Sequence, residues 1–492
     1  MKKRYLILIA SILFAACTDW LDIQPALEIR KDQLFENEDG FKNVLTGAYI
    51  RMATPDLYGK NTTMTLPEFM TRHWIAASKT LGDHLGRLEH EETPCKDLEA
   101  DVWLAYYQTI VNLNTLLGEI DAKRDVFTNG NYELIKGEAL GLRAFLHFEV
   151  ARLWGEAPAR IKSDEADIPY VTYVTKNPKD LRPVSYAEFS RRLLADLDSA
   201  ELLLKNDPIL SCFISTLNQP GLVEGYEQYN RPEDPYHYYR QSRFNYYAVK
   251  ATKARYHHWM GNSAEAARLA GEVIDALNTE DGSLKFRLGD ESVARYGELT
   301  FPSEHILAVN NSRAQEVVAP LFVQYYNGYT QDSLLLERAY EVTLHPNDIR
   351  FRNNRLWQSR TLKTGFSSTY TFFKKYVAND QTAVDVIPLI RLSEMYFIAI
   401  ENGDRARFAR YRESRNLHNS ADDEVTGANA TDESVLERLE KEYRKEFYGE
   451  GQMFFFYKRH ARENFSWPAV YTIDVARYKL PRPETQTLFE TL

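Results

Sequence analysis

A chain of 492 residues with 70 acidic against 60 basic side chains carries a formal net charge of −10. That balance excludes an ordinary nucleic-acid binder, which needs Lys and Arg in excess to meet phosphates, while the length leaves room for a large core. The aromatic load is high, with 31 Tyr, 25 Phe and 7 Trp, and Tyr serves cores and binding surfaces alike.

The chain opens on Lys2, Lys3 and Arg4, then an apolar run from Tyr5 to Phe14, then Ala15-Ala16 leading into Cys17. This is the order of a secretory signal, and the run falls short of the roughly 20 residues a bilayer span requires. A cysteine at the cleavage point looks like a bacterial lipobox. Residues 1–16 are therefore expected to be a signal peptide, and Cys17 the lipidated first residue of the mature protein, held at a membrane by its acyl chains.

Helical periodicity begins at Asp101, where Trp103, Tyr107, Ile110, Asn114 and Leu117 recur at three- and four-residue steps. A longer stripe follows in Ile135, Ala139, Leu142, Leu146, Val150 and Leu153, and Pro158 of Gly155-Glu-Ala-Pro marks its end. Phe189, Leu193, Leu197, Ala200 and Leu204 predict a third helix. Asn245–Met260 and Ser263–Leu277 read as a helical pair turned by Gly261-Asn262, with Ala266, Ala270, Val273 and Leu277 on one face. Another pair is expected near Pro388–Glu401 and Arg405–Arg415. Hairpins with Ala at close contacts are similar to tetratricopeptide repeats, without a strict period. Three irregular stretches, 54–100, 211–241 and 301–382, are too long to be simple connectors and are expected to carry function. No Pro- or Ser-rich linker divides the chain, so 17–492 is expected to be one domain. The fold class is mostly α, helical hairpins with long irregular loops and a few short strands.

Catalytic signatures are absent from the sequence. Gly449-Glu450-Gly451 lacks the third glycine of a dinucleotide loop, and no Walker loop or Gly-x-Ser-x-Gly elbow occurs. Thr93-Pro94 after His90-Glu91-Glu92 rules out a zincin helix, and His257-His258 are adjacent and diverge on a helix. The expectation is a non-enzyme with no metal and no cofactor. Besides Cys17 only Cys95 and Cys212 occur, and their pairing is not readable from the sequence.

Four blocks in order resemble the SusD/RagB outer-membrane lipoproteins. They are Cys17-Thr-Asp-Trp-Leu-Asp-Ile-Gln-Pro with Phe41 to Tyr49; Gly141-Leu-Arg-Ala-Phe-Leu-His-Phe with Leu153-Trp-Gly-Glu-Ala-Pro; Ala251 to Asn262; and Ile387 to Tyr396 with Glu442 to Gly451 and Leu480-Pro-Arg-Pro-Glu. Gln452-Met453-Phe454 departs from the family's basic and aromatic run. The resemblance implies a SusD-like fold, with an N-terminal part 17–380 and a C-terminal RagB/SusD part 381–492 packed together. It implies a surface lipoprotein facing the cell exterior, a lid on a SusC-like TonB-dependent transporter that captures an oligosaccharide or, in some relatives, a peptide. A helical-repeat scaffold without a small ligand and a lipid-anchored hydrolase are the competing classes.

The resemblance places the ligand site on His73 to Glu92 and Gln324 to Thr330, giving Trp74, His84, Arg87, Tyr325, Tyr326 and Tyr329 as candidate ligand contacts. The turn signal Asn327-Gly328 predicts exposure for these tyrosines. Trp357 among Arg350, Arg352 and Arg355 is a second candidate, against which stands pairing of those arginines with the chain's carboxylates. Arg391, Glu394, Glu446 and Glu450 are read as holding the fold, the first two by pairing locally or across helices and the last two through Arg or Lys partners.

Overall fold

The computed structural model describes residues 31–221, 228–323, 329–352, 355–364, 366–380, 384–417 and 423–491. Cys17, Tyr325 and Tyr326 lie outside the described residues.

Twelve helices carry the architecture: α1 (Glu38–Met52), α2 (Leu66–Phe69), α3 (Leu81–Gly86), α4 (Thr93–Ile120), α5 (Asn131–Trp154), α6 (Tyr186–Leu203), α7 (Tyr246–Trp259), α8 (Ser263–Ile274), α9 (Leu392–Glu401), α10 (Arg407–Ser414), α11 (Asp432–Glu446) and α12 (Gln452–Arg459). Neighbours in space follow one another like a solenoid: α1 packs on α4, α4 on α5, α5 on α6, α6 on α7, α7 on α8 and α8 on α9. From α9 the path runs through α11 to α12, which returns to α2 near the start of the chain. That return positions the site described below.

Local sequence accounts for these elements. Ser185 caps α6 by accepting from the Glu188 amide, and Asn245 caps α7 by accepting from the Ala248 amide at 3.0 Å. α4 starts eight residues before the apolar stripe predicts, because Pro94 fits a first helical turn, where no amide is needed. α5 is buried around almost its whole circumference, which marks it as the central helix. Its charges are paired: Arg143 binds Asp196 through two nitrogens at 2.8 and 2.6 Å, and Glu149 accepts from Arg152 at 2.7 Å. Ala266, Ala270 and Val273 are buried as expected, but α8 ends at Ile274, which leaves Leu277 exposed.

Short strands lie between the helices, β1 (Ala166–Ile168), β2 (Val184–Ser185), β3 (His305–Asn310), β4 (Thr330–Gln331), β5 (Trp357–Thr364), β6 (Phe366–Phe373) and β7 (Val386–Arg391), with β3 to β6 inside the irregular stretch 301–382. β7 corrects the expectation of a helix from Pro388. Ile387 to Ile390 form a short apolar run, which suits strand and helix equally by pattern, and antiparallel pairing with β3 decides it, from His305↔Arg391 to Asn310↔Val386. β5 and β6 form an antiparallel hairpin with β4 on the outer edge of β6, in the order β4-β6-β5. Cys95 and Cys212 are separate, buried thiols.

The C-terminal half holds a buried ionic network. Glu446 accepts from Arg391 and Arg415 at 2.8 and 2.7 Å on one oxygen, and from Arg350 at 3.1 Å on the other. Arg391 also reaches Glu304 at 2.9 Å and Glu450 at 2.8 Å. Burial pushes the Glu446 carboxyl up, and the guanidiniums of Arg415, Arg391 and Arg350 outweigh it, holding it well below the usual range. Arg391 and Glu394 do not pair with each other. Glu394 instead accepts from Arg255 on α7, at 2.6 Å to each oxygen. Two of the three arginines near Trp357 follow the carboxylate alternative, Arg350 with Asp348 and Glu442 and Arg355 with Glu291, while Arg352 is exposed.

Candidate functional site

The two segments expected to form the site meet. The Ile75 amide donates to the Thr330 carbonyl at 3.1 Å, forming an antiparallel bridge between the loop after α2 and β4. Beside this bridge opens a cavity of about 260 Å³ whose apolar floor is Phe69, Leu81, Leu321 and Tyr329, with Lys60, Thr65 and Thr80 at its polar edge. Gly82 also lines it, and the close approach there requires glycine: a Cβ would sit 2.7 Å from the Phe69 ring.

Tyr329 is 4% exposed, so the exposure expected from the adjacent turn signal is not found. Phe69, Trp74 and Phe322 pack around its ring at 5.0, 5.6 and 5.0 Å, and its hydroxyl meets Thr65 Oγ1 at 2.9 Å. It is a wall of the cavity rather than a projecting platform. Trp74 lies one layer deeper. Its ring stands against Tyr329, Phe322, Trp357, Phe373 and Tyr448, and Nε1 donates to Glu68 Oε2 at 2.6 Å. Trp357 belongs to the same buried cluster and donates to the Tyr340 hydroxyl at 3.1 Å.

His84 and Arg87 sit on and just beyond α3 and do not line the cavity. His84 Nδ1 lies 2.8 Å from Glu89, and Arg87 bridges Asp83 at 2.9 Å and Glu89 at 3.1 Å, so the four form an ionic patch that braces α3.

Behind the aromatic cluster stands Glu68, buried on α2. It accepts from Trp74 on one oxygen and from the Gly451 amide at 2.8 Å on the other. Burial pushes this carboxyl up to about 7, against the pull of its backbone and Trp74 donors and of Lys375. Gly451 has φ +72, and a Cβ there would lie 2.5 Å from Pro67, so the turn that aims its amide at Glu68 is a glycine turn. Sequence reasoning missed Glu68, Phe69, Thr65, Lys60 and Leu321, for which the irregular stretches 54–100 and 301–382 were the signal, and it did not single out Leu81 or Gly82 within the named segment 73–92.

Chemically, the cavity presents apolar surface, hydroxyls and an ammonium. Among the described residues its lining carries no carboxylate or imidazole to move a proton, and no three His, Cys, Asp or Glu side chains converge to hold a metal ion. No helix among the described residues is long and apolar enough to cross a membrane.

Residues 19–214 match the SusD-like family described as starch-binding associating with outer membrane. A SusD-like protein of Formosa agariphila is 25% identical over 198 residues, which span 40% of this chain and 36% of that relative's length. The fold matches crystal structures over nearly the whole chain. A SusD superfamily protein from Bacteroides thetaiotaomicron superposes with a TM-score of 0.66 at 19% identity, covering 92% of this chain and 97% of that one. A SusD-like carbohydrate binding protein from Bacteroides vulgatus superposes with a TM-score of 0.68 at 17% identity and the same coverage. Residues 19–214 are therefore similar in sequence to the SusD-like family, and the chain as a whole shares the fold of the solved SusD superfamily structures.

Proposed function

We propose that the protein is a lipid-anchored binding protein of the outer membrane, tethered through Cys17 and facing the cell exterior, that captures a nutrient oligosaccharide and passes it to a SusC-like TonB-dependent transporter. The supporting observation is the cavity at the Ile75–Thr330 bridge, where an apolar floor lies within reach of Thr65, Thr80 and Lys60. A sugar offers C–H groups on its face and hydroxyls on its edge. Covering about 50 Å² of that face is worth about 1 kcal/mol at ~25 cal/mol per Å². A cavity of about 260 Å³ takes a single sugar unit, so the rest of the chain would run over the rim. Binding without chemistry suits a lining whose described residues include no carboxylate or imidazole. The matched family is starch-binding and the similar Bacteroides vulgatus structure is that of a carbohydrate binding protein, and both point the same way.

The test is affinity-gel retardation of the purified protein on a panel of neutral polysaccharides, with Ala77→Trp alongside. Ala77 lines the cavity but is itself exposed, so an indole there fills the space without disturbing the core. Retardation by one glycan that Ala77→Trp abolishes is the expected result. Equal retardation of both proteins would remove the cavity from the reading. Silence across polysaccharides with binding of peptides would move it to the peptide class.

A further inference from the structure

Another cleft lies elsewhere on the protein. It measures about 590 Å³, between the loop after β1 and the outer face of α6, and shares no lining residue with the cavity beside Tyr329. A second cleft of about 400 Å³ adjoins it, and both are lined by Thr172 and Tyr173. Tyr173 is 53% exposed, so its ring stands at the ridge between the two.

Three buried side chains fix the backbone that carries this ring. Asn114 donates to the Val171 carbonyl at 3.0 Å, His147 Nε2 accepts from the Val171 amide at 2.9 Å, and Arg143 donates to the Thr172 carbonyl at 3.0 Å. Burial holds His147 down at about 3, so it stays the neutral acceptor this clamp needs. An exposed aromatic ring on so firmly held a loop is preorganised for contact.

The charge of the large cleft runs against that of the chain. Lys179, Arg182, Arg191 and Arg192 line it, with Asp180 and Asp196 as its carboxylates. Asp196 is engaged by Arg143 and the Tyr170 hydroxyl, and Asp180 accepts from Thr175 at 2.7 Å. Arg191 and Arg192 share Glu188. Lys179 and Arg182 are exposed and have no carboxylate partner among the described residues. A protein of net charge −10 thus keeps two unspent cations beside an exposed ring.

We infer that this cleft is a second saccharide subsite, selective for a sugar unit bearing an anionic group, a uronate carboxylate or a sulfate ester. Arg182 and Lys179 take the charge, and Tyr173 covers the ring face. The inference rests on the saccharide-binding reading but on a separate surface, and the variants keep the two apart.

The probes are polygalacturonate for the carboxylate, a sulfated galactan for the sulfate, and neutral galactan as control, followed by affinity gel and calorimetry. The purified protein should bind one of the charged polymers, and more weakly as salt rises. Lys179→Glu with Arg182→Glu should weaken that binding about tenfold or more and flatten its salt dependence. Tyr173→Ala should weaken it about fivefold, and Ala77→Trp should leave the anionic subsite in place. All four positions are exposed, so melting curves should coincide. Failure of both charged polymers to bind, or binding that survives the charge reversal, overturns the inference and leaves the cavity beside Tyr329 untouched. Loss in Ala77→Trp alone would instead assign the anionic ligand to that cavity.

Discussion

The turn from Tyr448 to Gly451 separates two regions built from opposite materials. On one side, Glu446 and Glu450 gather Arg350, Arg391, Arg415 and Lys375 into a buried network. On the other, Tyr448 joins Trp74, Trp357 and Phe373 in an aromatic cluster whose outer member, Tyr329, walls an open cavity. In the network the guanidiniums are saturated and nothing faces solvent, so its chemistry is spent on holding α11, β7 and the loop before β3 together. In the cavity the apolar floor stays open, and the exposed Thr80 hydroxyl, which donates to the Ala77 carbonyl, can still accept. Both regions are rich in functional-looking side chains, and burial with complete pairing distinguishes the structural one.

The sharpest way to break this division is Glu446→Ala. It would take one carboxylate partner from each of three buried guanidiniums, and breaking a buried pair costs on the order of 3–5 kcal/mol. The expected outcome in thermal denaturation is a protein that melts far lower or does not fold. A mild effect would mean that the network is not what holds this half.

Gly451→Ala comes next. A Cβ at φ +72 pressed on Pro67 should cost about 1–3 kcal/mol, and the loss should be smaller in a Pro67→Ala background. Equal losses in both backgrounds would locate the cost in the backbone alone.

Glu68 joins the two regions and gives a pH signature. Its folded value of about 7 lies above the ordinary 4.5, so the native state holds this proton more tightly than the unfolded chain does. Its contribution to stability is complete below about 4.5 and falls as pH rises through about 7. Glu68→Gln should therefore lose most relative to the parent at low pH, and the gap should narrow toward pH 8 in denaturant titrations. A gap that widens with rising pH would show a carboxylate held ionised by Lys375 instead.

Much of the helical fold was legible in the sequence, because its signals are local. Ser185 and Asn245 cap where caps were needed, Gly155 with Pro158 stops α5, and the stripe of Phe189, Leu193, Leu197 and Ala200 is buried on α6 as its spacing implies. What stayed hidden depends on distant partners. β7 is a strand because β3 lies beside it, and Glu394 meets Arg255 rather than Arg391 because α7 crosses near it. At the candidate site, the two segments that the resemblance named lie side by side, joined by the Ile75–Thr330 bridge. Side-chain depth did not follow from the resemblance. Trp74 is turned inward by Glu68, a residue with no sequence signature, and Tyr329 is enclosed by Phe69 and Phe322 from elements on either side.

The most direct test of the division between a holding region and a binding region is a calorimetric titration of the parent and Ala77→Trp with the neutral glycan that retards the parent. The expected result is an affinity lower by about tenfold or more, some 1.4 kcal/mol, with a melting midpoint within about 2 °C of the parent. Unchanged affinity in a folded Ala77→Trp protein would contradict the assignment of binding to the cavity beside Tyr329.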